Sequence, residues 1–260
     1  MASPPRFARI AASRFIAASP YRLASTHRTF CCSTPRRVPD CHATVLMPSR
    51  GGAVLWDLDG TLIDSEASWA HACELGAHPW DPEPAEISGI SIPGLADLLR
   101  ERGARSERRV VVKLLAERME DLNRRDGVLW RPGALDLLET LQRAGVCQGL
   151  VTMSPSRTAA TVLEQLPHPY FADVTTADMV TRPKPDPEAY RTALRNLRVS
   201  GSQSVAIEDS TIGVHSARGA GLRVIAVRGS QPVEAQDGIQ VWESFRHRGI
   251  DDVIAAGLRL

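Results

Sequence analysis

The residues best suited to chemistry lie in Ala53-Val-Leu-Trp-Asp-Leu-Asp-Gly-Thr-Leu-Ile-Asp-Ser65. A short apolar run, Ala53–Trp56, leads into two carboxylates, Asp57 and Asp59, one residue apart. On a strand that spacing puts both on one face, and Gly60 then breaks the strand. Two acids crowded at a strand end repel each other and lose hydration unless positive charge sits between them. A surface turn with incidental acids is the plain reading. The more specific reading is a divalent metal site with a second carboxylate beside it, free for nucleophilic or acid–base work.

The elements that must position these acids follow from periodicity. Ala53–Trp56 reads as a fully buried strand. Residues 65–127 read as helical, with Asp64 or Ser65 capping a first helix through Trp69, Ala70 and Cys73. Pro79, Pro82 and Pro84 break that helix early; Leu95, Leu98 and Leu99, then Val110, Leu114, Leu115, Met119 and Leu122, recur at helical spacing. The many Arg of this stretch are interleaved with acids, the pattern of a solvated helix face. From Arg131 the chain alternates: helix from Pro132-Gly133, strand Val146–Val151, helix Arg157–Gln165, a short strand Ala172–Thr176, helix Pro187–Leu197, strand Ser204–Ile207, helix Ser210–Ala220 and strand Leu222–Val227. Val241, Phe245, Ile250, Val253 and Ile254 suggest a closing helix. The expected fold class is α/β: a Rossmann-like parallel sheet with helices on both faces and a small helical cap inserted after the first strand. The expected domains are a core of 51–64 and 128–260 and a cap of 65–127.

Open parallel sheets bind ligands beyond the carboxyl ends of their strands. There the sequence places Asp57 and Asp59 after the first strand, Thr152 after the second, Glu208 and Asp209 after Ser204–Ile207, and Lys184 between Pro183 and Pro185. Four segments thus bring four carboxylates, a hydroxyl and an ammonium to one edge. Carboxylates without His or Cys suit a hard cation, Mg²⁺ first. Lys184 and Thr152 can hold phosphoryl oxygens.

Asp57-Leu-Asp59-Gly-Thr-Leu, Thr152, Lys184-Pro-Asp-Pro and Ile207-Glu-Asp-Ser-Thr-Ile-Gly213 together resemble, in order, the four motifs of the haloacid dehalogenase superfamily, in its phosphoglycolate phosphatase and β-phosphoglucomutase-like branch. The resemblance implies Asp57 as nucleophile and Asp59 as acid/base. It implies Thr152, Met153 and Lys184 as phosphate-binding positions. Asp57, the backbone carbonyl of Asp59, Asp209 and Glu208 (directly or through water) would ligate Mg²⁺. It further implies a phosphatase of a small phosphorylated metabolite, with a phosphomutase or a non-catalytic module as alternatives. In two places the sequence departs from the pattern. The first cap helix is cut short at Ala77–Pro84, and Trp69 stands where mutase relatives carry a His, which favours hydrolysis over mutase chemistry.

Composition narrows the remaining choices. Residues 1–46 carry seven Arg, no Lys and one acid, leaving 24 bases and 29 acids for 47–260, a mildly acidic body not built for polyanions. Aromatics are only 5%, which gives little for stacking nucleic-acid bases. No apolar run approaches the roughly 20 residues that span a bilayer. The expected partner is therefore the metabolite alone, with neither nucleic acid nor membrane, and the expected state is a monomer or weak homo-oligomer. The five Cys form no CxxC pair, which fits a reducing, cytoplasmic setting. Residues 1–50, rich in Arg, Ser, Ala and Pro, read as a disordered extension. Its composition suits a transit peptide, with an organellar location, or upstream sequence read from a start codon placed before Met47.

Overall fold

In the computed structural model the described residues are 51–76, 90–229 and 233–260. The expectations for 1–50 and for the proline-rich break at 77–84 lie outside them. Six parallel strands, β1 (Ala53–Trp56), β2 (Cys147–Val151), β3 (Asp173–Thr175), β4 (Val205–Glu208), β5 (Arg223–Val227) and β6 (Ile239–Trp242), form one sheet in the order β3-β2-β1-β4-β5-β6. The chain winds outward from β1 to β3 and returns to start β4 on the other side of β1. The order therefore reverses at β1/β4, and the crevice of such a sheet opens at that point.

β1 is central and fully buried, which is why it is an unbroken apolar run. Its Trp56 is affordable inside because the indole N–H donates to Gln148 Oε1 (3.0 Å), the Gln148 amide donates on to the carbonyl of Leu138, and the ring lies 5.7 Å from that of Phe245. On the opposite face Ala53 and Leu55 pack with Tyr190, Ala193, Val214 and Ala217 from the helices that flank β4.

Among the described residues the α-helices are α1 (Glu66–Gly76), α2 (Ile92–Glu101), α3 (Arg108–Asp126), α4 (Ala134–Arg143), α5 (Ser156–Leu163), α6 (Glu188–Leu197), α7 (Thr211–Gly219) and α8 (Ile250–Ala256). The first three share their own apolar cluster, including Ala72, Cys73, Leu95, Leu99, Val111, Leu115 and Met119. The buried stripe of α3 runs through Val111, Leu115, Met119 and Leu122, while Val110 is half exposed, so the stripe starts one residue later than the sequence pattern suggested. Two crossings join this unit to the sheet side by side, through Asp64 N–H to Leu129 O (2.8 Å) and Arg131 N–H to Leu62 O (2.9 Å). The end of α3 is tied to α5 by Asn123 Nδ2 donating to Thr161 Oγ1 (2.9 Å). Arg108 and Arg109 at the start of α3 face water and pair locally, Arg108 with Asp97 and Arg109 with Glu107. The tail departs from the sequence reading. Val241 belongs to a sixth strand, and the closing helix α8 starts only at Ile250. A four-residue edge strand buried at its two ends, three positions apart, and open in its middle resembles a helical turn by pattern alone. No described helix is long and apolar enough to cross a membrane.

Candidate active site

The site forms where β1 and β4 end. β1 stops at Trp56, and Asp57 N–H donates to Ile207 O (2.9 Å), which fixes Asp57 beside the last turn of β4. The chain then turns tightly, with the amides of Leu62 and Ile63 both returning to Leu58 O. Gly60 makes that turn possible. Its φ is +79°, and a Cβ there would run into the Asp209 carboxylate. Gly213 does the same for the other acid: a Cβ in the first turn of α7 would occupy the place of the Glu208 carboxylate. The role of Gly213 is to leave room for a buried side chain.

Asp57 and Asp59 go to different partners, although sequence spacing put them on one face. The strand ends before Asp57, so the two-residue period no longer holds them together. Asp57 Oδ1 accepts from Lys184 Nζ at 2.6 Å. The Lys184 ammonium also donates to Glu208 Oε1 (2.6 Å) and to Val151 O (2.9 Å), which uses all three of its hydrogens. Tyr190 OH donates to the same Glu208 oxygen (2.7 Å), and Thr61 Oγ1 donates to Asp209 Oδ1 (3.0 Å). Asp59 lies instead between the start of the helical unit and the turn after β2. Its Oδ1 accepts from Ser65 Oγ (2.9 Å) and Trp69 Nε1 (3.0 Å), and its Oδ2 from Ser154 Oγ (2.7 Å) and, more distantly, Thr152 Oγ1 (3.5 Å).

The electrostatics are lopsided. Burial, then the neighbouring Glu208, pushes the Asp57 carboxyl well above the usual carboxylate range. Burial and Glu208 likewise raise Asp209 to about 7. Burial works against the Lys184 ammonium, but the Asp57 and Glu208 carboxylates outweigh it and keep it charged. Asp57, Glu208 and Asp209 bring oxygen atoms within 4.8 Å of one another, all buried, with one ammonium among them. An all-oxygen set with surplus negative charge fits a hard divalent cation such as Mg²⁺. The Asp59 carboxylate is outside that set, so only its backbone carbonyl, the atom suggested by the motif, could join it.

This arrangement makes a stability prediction. The Asp209 carboxyl goes from an ordinary 3.8 to about 7 on folding. The folded protein thus holds a proton that the unfolded chain has released between those values, so this contribution is complete at low pH and is lost as pH rises through about 7. Without divalent metal, the wild type should lose more melting temperature than Asp209→Asn between pH 5 and pH 8. Mg²⁺ should raise the wild-type melting point more at pH 8 than at pH 5, and scanning fluorimetry in EDTA and in Mg²⁺ reads both. Equal pH slopes for the two proteins would refute the assignment.

The crevice above the acids is lined by Asp57, Asp59, Ser65, Met153, Ser154, Lys184 and Asp209, with Glu66, Trp69, Ile90, Ile92 and Leu95 on the side of the helical unit. Of the expected positions, Asp57, Asp59, Met153, Lys184 and Asp209 reach it. Thr152 is fully buried behind Asp59 and receives the Ser154 N–H on its hydroxyl (3.0 Å). Glu208 lies beneath Lys184. Ser154, Tyr190 and Thr61 were not singled out from sequence. Ser154 and Thr152 both reach Asp59 Oδ2 from the turn beyond β2, where the strand period has ended and no longer marks a shared direction. Tyr190 is indistinguishable by pattern from the apolar face of α6.

Residues 54–227 match the family model for haloacid dehalogenase-like hydrolases. The chain is 32% identical over 188 residues to validoxylamine A 7'-phosphate phosphatase of Streptomyces hygroscopicus subsp. limoneus, covering 70% of this chain and 87% of that protein. It is 31% identical over 179 residues to hexitol phosphatase A of Escherichia coli K12, covering 66% and 81%. Among solved structures, CbbY from Rhodobacter sphaeroides in complex with phosphate superposes with a TM-score of 0.71 at 29% identity, over 78% of this chain and 99% of that one. A doubly wound sheet with paired acids at its reversal point, and a match that runs from β1 through β5, make this chain a member of the haloacid dehalogenase-like hydrolase family.

Proposed function

We propose that the chain is a Mg²⁺-dependent phosphatase of small phosphorylated metabolites that works through an aspartyl phosphate on Asp57. The observation that carries this reading is the division of labour between the two acids. Asp57 is pinned beside Lys184 and Glu208 at the bottom of the crevice, and Asp59 is held by four donors at its upper wall. An Asp57 oxygen attacks phosphorus, and the bond from phosphorus to the ester oxygen breaks as Asp59 passes it a proton. Asp59 then removes a proton from a water that attacks the acyl phosphate, which releases inorganic phosphate and restores both carboxyls. Lys184 keeps Asp57 oriented and offsets charge as the phosphoryl dianion approaches. Ser154, with Thr152 behind it and Met153 beside it, forms the wall against which the phosphoryl group would rest. Asp57, Asp209, the Asp59 carbonyl and Glu208, directly or through water, would hold Mg²⁺. That ion supplies the positive charge that lets an anionic nucleophile approach phosphate.

The relatives named for hydrolysis of validoxylamine A 7'-phosphate and of hexitol phosphates support a small phosphorylated sugar-like substrate. The phosphomutase alternative has less support, since an indole, not an imidazole, meets Asp59 from α1. A non-catalytic module has no reason to keep four donors on Asp59. Residues 65–127 serve as the cap over the crevice, hinged at the paired crossings.

Turnover of p-nitrophenyl phosphate should fall to background after exhaustive chelation and return with Mg²⁺. Full activity in chelator would remove the metal from this reading, and no activity under any divalent condition would remove the enzyme.

A further inference from the structure

On the side of the helical unit the crevice wall is built from Trp69, Ile90, Ile92 and Leu95, with Glu66 as its one charged side chain among the described lining residues. Lys184 is the one cation among the described residues that line the crevice, and its three hydrogens go to Asp57, Glu208 and Val151. The sequence from Gly51 to Leu99 contains no Lys or Arg at all. The stretch between α1 and α2 therefore carries neither; its one basic side chain is His78, outnumbered by the acids Asp81, Glu83 and Glu86.

A phosphomonoester has its dianion at the floor, so its other end must meet this wall. A second anionic group there would leave water for an apolar surface with no cation to receive it, and would face Glu66. A hydroxyl can donate to Glu66, an ammonium can pair with it, and the carbon skeleton can lie against Ile92 and Leu95. Resting on the phosphatase reading above, we propose that the cation-free wall and Glu66 make this enzyme select monophosphates whose leaving group is neutral or positively charged, such as a sugar, polyol or amino-sugar phosphate, and reject bisphosphates and phosphorylated carboxylates.

The test uses matched pairs with the full chain and Mg²⁺. Ethanolamine phosphate and phosphoglycolate are of similar size but end in opposite charges. Glucose 6-phosphate and glucose 1,6-bisphosphate differ by one phosphate. In each pair kcat/KM for the first should exceed the second by about tenfold or more, as expected for one close charge in a partly screened site. Glu66→Gln should shrink the ethanolamine phosphate to phosphoglycolate ratio by about tenfold, and Glu66→Lys should invert it. Because the readout is a ratio, a variant that is merely less well folded leaves it unmoved. Wild-type preference for phosphoglycolate or the bisphosphate, or a ratio that neither variant changes, overturns the proposal while p-nitrophenyl phosphate turnover keeps the phosphatase reading intact. If p-nitrophenyl phosphate itself is not hydrolysed, the phosphatase reading falls. Calorimetric binding of the same pairs then decides the charge selection alone, with tighter binding of the doubly anionic member counting against it.

Discussion

Asp57→Asn should abolish turnover, by about 10⁴-fold or more, while making the metal-free protein more stable. The amide is a poor nucleophile, so no phosphoenzyme can form. The same change removes a carboxylate whose pKa burial and Glu208 hold well above its ordinary value, so at pH 8 the native state is relieved of an unfavourable charge. Asparagine Oδ1 still accepts from Lys184, which keeps the local geometry. In a chain of this size each kcal/mol is worth about 2–4 °C, so a rise of a few degrees in EDTA at pH 8 is expected. Quenched-flow trapping, p-nitrophenyl phosphate assay and scanning fluorimetry read the three quantities. Retained phosphoenzyme in the variant would dismiss Asp57 as nucleophile. A lower melting point would mean that the ion pair with Lys184 outweighs the burial of charge.

Asp59→Asn should act on rate by a different route. Loss of a general acid/base typically removes ~10²–10⁴-fold. The substitution fits its surroundings. The amide oxygen can remain toward Trp69 Nε1, a donor that cannot reverse, while the amide hydrogens face the hydroxyls of Ser154 and Thr152, which can accept. A good leaving group needs little protonation, so p-nitrophenyl phosphate should still phosphorylate Asp57, and the acyl phosphate should then persist for want of a base. Rapid mixing should show a burst of nitrophenol no larger than the enzyme concentration, followed by a slow phase. A burst from Asp57→Asn with none from Asp59→Asn would exchange the two roles.

The sequence alone determined the parallel sheet and its order of elements, because buried parallel strands are short apolar runs that neighbouring turn residues delimit sharply. It also indicated where the chemistry gathers, since strand-end positions in such a sheet converge whatever the side chains around them. It did not reveal the sixth strand, where a partly exposed edge of four residues has no distinctive period. It could not say that Asp57 and Asp59 part company, because the two-residue rule holds only while the strand lasts, and β1 ends at Trp56. Lys184 bridging Asp57 and Glu208 joins positions 127 and 24 residues apart. Tyr190 on Glu208 and Trp69 on Asp59 are likewise contacts across elements. The charge of each acid in the cluster is a collective property of burial and neighbours. Only the tertiary structure decides it, because field and desolvation depend on distance through space and not on distance along the chain.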